Sequence, residues 1–212
     1  SHSHRGIYYL DECPEYPSKT LEVLRQPLED GQVTISRAAG SCTYPAQFML
    51  VAAMNPTPCG YDIHDEKCSS TPFEIQRYQN KISGPLLDRI DLQIHVPRVD
   101  FEKLKSLEPS ETSAEVQARV QQARDRQTKR FTNETIRTNA EMSSSLVKQY
   151  CTVSDDSMAL LRSAVEQYDL SGRAYFRILK VARTIADLAG LDQIKLEHLA
   201  ESIGYRHQKA TD

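Results

Sequence analysis

The most constraining stretch of this sequence is Gly6-Ile7-Tyr8-Tyr9-Leu10-Asp11-Glu12, a short apolar run that ends in two adjacent carboxylates. Ile7 to Leu10 have the length and the β-branched and aromatic character of a strand buried on both faces, as in parallel sheets. Ligands of open α/β sheets gather at the carboxyl ends of the strands, and Asp11 and Glu12 fall at that edge. A first carboxylate there can hold Mg²⁺, directly or through water. A second can polarise an attacking water. The competing role is a core strand with two solvated acids at its mouth, so the rest of the chain has to decide.

The 212 residues leave room for one large domain or two small ones. A net charge of -3 gives no global basic footprint of the kind nucleic-acid binders often show, so any such contact must come from a local patch. No apolar run reaches the length of a membrane span, and Ser1-His2-Ser3-His4-Arg5 is too polar for a signal peptide. The expected location is the cytoplasm, with no membrane partner. The five cysteines are then expected as reduced thiols. No G-x-x-x-x-G-K-S/T phosphate loop occurs in these residues. The sequence also starts almost inside a core strand, whereas domain boundaries fall in exposed linkers. It is therefore expected to be the downstream part of a longer chain.

Residues 15–30 read as a helix capped by Ser18, apolar at Leu21, Leu24 and Leu28, and ended or kinked by Pro27. Residues 32–45 alternate as a β-hairpin, with Ala39-Gly40 at the reversal and Arg37 near the tip. Residues 48–54 form a second buried strand that stops at Asn55-Pro56. Asn55 could orient a water or make a simple Asx turn. Residues 56–72 form a polar loop, and 74–87 are helical with a break near Ser83-Gly84-Pro85. A third strand is expected at 92–96. The polar stretch 98–112 looks like a connection. Beyond it everything is helical, with segments expected at 114–131, 143–150, 155–168, 172–189 and 196–203. The expected fold is thus α/β over residues 1–98, followed by an all-α part over 99–212.

In this order the pieces resemble an AAA+ ATPase domain with its helical lid, and more narrowly the magnesium-chelatase-like ComM/YifB family. The resemblance rests on Leu10-Asp11-Glu12-x-Pro14-Glu15, Leu24-Arg25-Gln26-Pro27-Leu28-Glu29-Asp30-Gly31 and Val33-Thr34-Ile35-Ser36-Arg37-Ala38. It continues through Ala53-Met54-Asn55-Pro56, Ser83-Gly84-Pro85-Leu86-Leu87-Asp88-Arg89-Ile90-Asp91, Ala182-Arg183-Thr184-Ile185-Ala186-Asp187-Leu188 and the closing Tyr205-Arg206. The resemblance implies ATP and Mg²⁺ as cofactors, with Asp11 as the Mg²⁺-associated Walker B acid and Glu12 as the base for water. It implies Asn55 as sensor 1, which with Asp11 and Arg173 would contact the nucleotide. Arg89 would be an arginine finger acting on a neighbouring subunit, and Arg173 the sensor 2 arginine. The hairpin would be the pre-sensor 1 insertion, with Arg37 as a DNA contact. The implied protein is a homo-oligomeric ring, a hexamer acting as a DNA helicase or branch-migration factor in natural transformation.

Each role has a competitor. Arg89 lies between Asp88 and Asp91 and could sit in a local ion pair. Arg177 lies one turn after Arg173 on a similar face. Arg37 on an exposed hairpin could simply be solvated. Arg119, Arg124, Arg126, Lys129 and Arg130 are interleaved with acids and read as a solvated face. Family members often carry C-P-C and C-x-C in the 56–72 loop. Here only Cys59 and Cys68 stand there, with His64 as a third candidate, and tetrahedral zinc wants four ligands. Bound zinc is not expected, and Cys13, Cys42 and Cys151 read as packing residues. Besides the DNA motor, a chelatase-type or protein-remodelling subunit fits the same words. So does a non-catalytic role for these residues by themselves, which lack the phosphate loop.

Overall fold

The structure is a computed structural model in which residues 2–38, 40–97 and 111–206 are described. Most of the connection expected at 98–112 lies outside them. The chain divides into two compact units, Ser1–Ile90 and Asp91–Asp212.

In the first unit, apolar residues form β1 (Ile7–Leu10) and β4 (Met49–Ala52), which pair in parallel with Ile7 opposite Met49 and Leu10 opposite Ala52. The period of two sends Tyr8, Leu10 and Leu50 to one face. There they pack with Leu21, Ile82 and Leu86. The other face differs from the expectation of strands buried on both sides. Ile7 is 64% exposed and Met49 63%. Among the described residues each of these strands pairs only with the other, so only the face under the helices is covered.

The expected helix over 15–30 is three pieces. A 3-10 turn at Cys13–Glu15 precedes α1 (Ser18–Val23) and α2 (Arg25–Asp30). The N-cap of α1 is Pro17, not Ser18. Pro27 lacks an N–H and its ring crowds the carbonyl four residues back, so the break falls at Leu24 and the helix resumes after it. Gly31 ends α2 in the left-handed conformation at φ 65°. The hairpin forms as expected: β2 (Gln32–Arg37) pairs antiparallel with β3 (Gly40–Pro45), with Arg37 opposite Gly40. Its strands are tied by hydroxyl pairs, Thr34–Thr43 at 3.0 Å and Ser36–Ser41 at 3.1 Å. Cys42 lies on this hairpin and is exposed, not packed as the sequence suggested.

Next, α3 (Pro72–Gln79) starts with a capping box. Thr71 Oγ1 accepts from Glu74 N at 3.3 Å, and Glu74 Oε2 accepts from Thr71 N at 2.8 Å. These bonds hold the Glu74 carboxyl below its ordinary pKa, the Thr71 backbone contact being the largest. The carboxylate's contribution to the cap is therefore present at neutral pH and is lost as pH falls through the lowered pKa. Thr71→Ala is expected to cost about 1 kcal/mol in urea unfolding at neutral pH. A short α4 (Gly84–Leu87) follows, opened by Ser83, whose Oγ accepts from Leu86 N.

The second unit is a helical bundle. Helices α5 (Ser113–Arg130), α6 (Ser144–Tyr150), α7 (Asp155–Gln167), α8 (Gly172–Leu188) and α9 (Leu196–Gly204) pack around Leu161, Ile178, Ala182 and Leu199. The strand expected at 92–96 is absent. Among the described residues these positions pair with no strand, Gln93 N donates instead to Tyr205 O at 2.7 Å, and Val96 is 80% exposed.

The basic face of α5 is not merely solvated. Arg130 Nη1 donates to Asp187 Oδ2 at 2.7 Å and to Asn139 Oδ1 at 2.9 Å, and its Nη2 donates to the other oxygen of Asp187. Asn139 Nδ2 donates to Asp187 Oδ2 at 2.8 Å. Arg183 lies 3.1 Å from Asp187 and donates to the carbonyls of Asp192 and Leu191 at 2.6 and 2.5 Å. A buried pair is worth little net, but removing one partner strands the other charges. Asp187→Ala is therefore expected to destabilise this unit by about 3–5 kcal/mol. Thermal unfolding of the variant against the parent checks this.

Candidate functional site

The parallel ladder continues past the ends of its strands. Ala53 N donates to Leu10 O at 2.8 Å, and Cys13 N donates to Ala53 O at 2.9 Å. Between these bonds the chain must turn, and Asp11 and Glu12 make the turn. Glu12 adopts the left-handed region at φ 48°, ψ 45°. A side chain held there costs roughly 1–3 kcal/mol and persists only where the surroundings fix it, most often at functional positions. Here the fixing groups are the ladder bonds, the buried Cys13-Pro14 turn and Asp11 Oδ1, which accepts from Glu12 N at 3.0 Å. Both acids stay exposed at the carboxyl end of β1.

Asn55 lies just beyond β4 at the same edge and is exposed. Its side chain makes no Asx turn among the described hydrogen bonds. Near this edge, Tyr78 of α3 is only 6% exposed. Burial raises the Tyr78 pKa first, with the charges of Glu15 and Glu12 adding to it. Tyr78 thus lies close enough to the sheet edge to feel Glu12. The sequence reading missed it, although Ile75 and Tyr78 three residues apart marked the inner face of α3. The structure therefore brings Asp11, Glu12 and Asn55 to one sheet edge.

Arg89 belongs to a second cluster. Its Nη1 donates to Pro85 O at 2.7 Å, and its Nη2 is paired with Glu29 of α2. Only 10% of the side chain is exposed. Beside it, Glu22 accepts from Ser83 Oγ and pairs with Arg25, both at 2.5 Å. The Ser83 bond, then that of Arg25, holds the Glu22 carboxyl below its usual value. The three acids Glu22, Glu29 and Asp30 line an open groove with Arg25, Gln26 and Arg89. Glu29 is a second residue the sequence reading did not single out, since it lies sixty positions from its partner.

In the helical unit, Arg173 is exposed in the first turn of α8, behind the Ser171 cap. Arg177, one turn on, pairs with Asp91 at 2.5 Å. Arg37 stands exposed at the hairpin tip. The described residues contain no group of three or more His, Cys, Asp or Glu that could hold a metal, and no helix among them is long and apolar enough to cross a membrane.

Comparison with known proteins agrees with the order of these parts. Residues 1–104 match the family model of the magnesium chelatase subunit ChlI, and residues 110–206 match the model of its C-terminal region. The chain is 45% identical over 202 residues to the competence protein ComM of Haemophilus influenzae, covering 95% of this chain and 39% of that protein. It is 43% identical over 206 residues to YifB of Escherichia coli, covering 96% of this chain and 40% of that protein. A Mycobacterium bovis relative is 38% identical over 210 residues, covering 99% of this chain and 41% of that protein. The chain spans about two-fifths of the length of these relatives. With both family models matched in order and these identities over nearly its whole length, the chain belongs to the magnesium-chelatase-like ComM/YifB family.

Proposed function

We propose that this chain is the water-activating and lid portion of an AAA+ ATPase, which in its full-length form is a hexameric ring that moves on DNA. The observation that carries the reading is the turn at Glu12. A backbone conformation unfavourable for glutamate sets two exposed acids beside Asn55 at a sheet edge.

The residues at that edge suit ATP and Mg²⁺. They offer hard oxygen donors and, among the described residues, no dedicated metal cage. Mg²⁺ keeps several waters and takes one or two carboxylates beside substrate phosphates. Asp11 would hold the ion, which neutralises phosphate charge when bound. Glu12 accepts the proton of the attacking water, and Asn55 orients that water or a phosphate oxygen. Arg89 acts on the nucleotide of a neighbouring subunit, because a guanidinium stays charged and can bond phosphate in two places. Arg173, exposed in the first turn of α8, serves as sensor 2. The DNA role draws support from the exposed hairpin with Arg37 and from the name of the Haemophilus relative, a competence protein.

A chelatase-type or protein-remodelling role is the second reading. It is favoured by the hairpin's sparse charge, since Arg37 is the one Lys or Arg in 32–45. DNA sites usually neutralise several phosphates. ATP hydrolysis by the full-length protein, measured with and without single-stranded and branched DNA, separates the two. The DNA motor predicts stimulation that Arg37→Ala removes while basal turnover remains. Turnover indifferent to DNA favours the remodelling role.

A further inference from the structure

The loop between β4 and α3 carries chemistry that ATP turnover does not use. Cys59 Sγ lies 3.4 Å from Cys68 Sγ. The loop is folded so that the two thiols converge. Cys68 N donates to Asp65 O at 2.8 Å, which turns the chain back. Cys59 N donates to Ser70 Oγ at 3.2 Å, which holds the two ends of the loop together. Thr57 is fully buried beneath, with its hydroxyl donating to Tyr61 O at 2.6 Å and its oxygen 3.1 Å from Cys59 Sγ. Both cysteines are partly exposed. Among the described residues no third His, Cys, Asp or Glu completes a metal cluster with them.

We propose that Cys59 and Cys68 form a site of reversible disulfide exchange, whose substrate is a low-molecular-weight disulfide. The Cys59 thiolate attacks one sulfur of that disulfide, whose S–S bond breaks and releases one thiolate. Cys68 gives its proton to water and attacks the Cys59 sulfur, releasing the second thiolate. The small disulfide is thereby reduced to two thiols, and the two protein thiols are oxidised to one bridge. Cys59 is the attacking residue. Hydrogen bonds to its sulfur, that of Ser70 first, push its thiol down to about 5, and thiolates are the nucleophiles in such exchange. The other cysteines differ. Burial raises the thiol of Cys13 and pushes that of Cys151 up to about 11. Cys42 is exposed on the hairpin and serves as an internal control. A bridge would close the loop 59–68 and tie the exit of β4, directly after Asn55-Pro56, to the start of α3.

The test uses this chain, fully reduced and then incubated with oxidised glutathione at neutral pH. Free thiols are blocked and the peptides mapped by mass spectrometry. The expected product is a Cys59–Cys68 cross-linked peptide, lighter by two hydrogens than the reduced pair and restored by dithiothreitol. Cys68→Ser is expected to stop at a glutathione adduct on Cys59, and Cys59→Ser to leave Cys68 unbridged. The proposal is overturned if wild-type Cys59 and Cys68 remain open to alkylation while Cys42 carries glutathione. It is equally overturned if the bridges that form join Cys42 or separate chains. The wild-type measurement decides without reference to how either variant folds.

Discussion

Replacing Arg89 by alanine in the full-length protein is expected to lower ATP turnover by roughly 10³-fold or more, the usual worth of an arginine that meets transition-state charge. Arg89→Lys should recover little, because an ammonium keeps the charge but not the planar fork. Steady-state hydrolysis by the two variants, with nucleotide binding measured alongside, checks this. The structure adds a condition. Arg89 is folded against Glu29 and the Pro85 carbonyl, so the guanidinium must exchange a carboxylate for a phosphate when a neighbour presents its nucleotide. In that exchange one charge-assisted bond to an anionic oxygen replaces another, so the guanidinium is not left unpaired.

Glu12→Gln is the second large effect. Amide for carboxylate keeps the shape and the turn but removes the proton acceptor. Loss of a general base costs about 10²- to 10⁴-fold in turnover. Nucleotide binding should survive, because Asp11 and the phosphate contacts are untouched. The turn itself is held by backbone bonds of Cys13 and Ala53 and by Asp11, none of which uses the Glu12 carboxylate. A parallel fall in binding and turnover would instead assign Glu12 to holding the nucleotide. Single-turnover hydrolysis beside a binding titration separates these outcomes.

Much of this arrangement was legible in the sequence because local pattern and tertiary structure agree there. Alternation in 32–45 gave the hairpin, and three- and four-residue spacing gave the helical unit. The acids at the end of β1 fell at the sheet edge because a parallel register places strand ends side by side. What was illegible depended on long-range partners. Ile7 and Met49 looked like residues buried on both sides, but apolar character does not say which faces find a covering element. The apolar run 92–96 pairs with no strand among the described residues, because apolar character and a following proline do not supply a pairing partner. Arg130 looked like one of several solvated cations, and only the approach of Asp187 and Asn139 drew it inside. Glu29 and Tyr78 were passed over for the same reason, since neither stands near its partner in sequence. The Glu12 turn was legible only as a pair of acids, because the left-handed backbone is imposed by the ladder and not by residue type.

The central claim is that the acids at the end of β1 hydrolyse ATP together with an arginine from the next subunit. It is tested most directly by mixing two inactive full-length variants, Arg89→Ala and Glu12→Gln, and measuring ATP hydrolysis against each alone. In a mixed ring, an Arg89→Ala subunit keeps its acids and receives Arg89 from a Glu12→Gln neighbour. The account predicts that the mixture regains turnover that neither variant shows alone. A mixture that assembles and binds ATP yet stays as inactive as its components would contradict it.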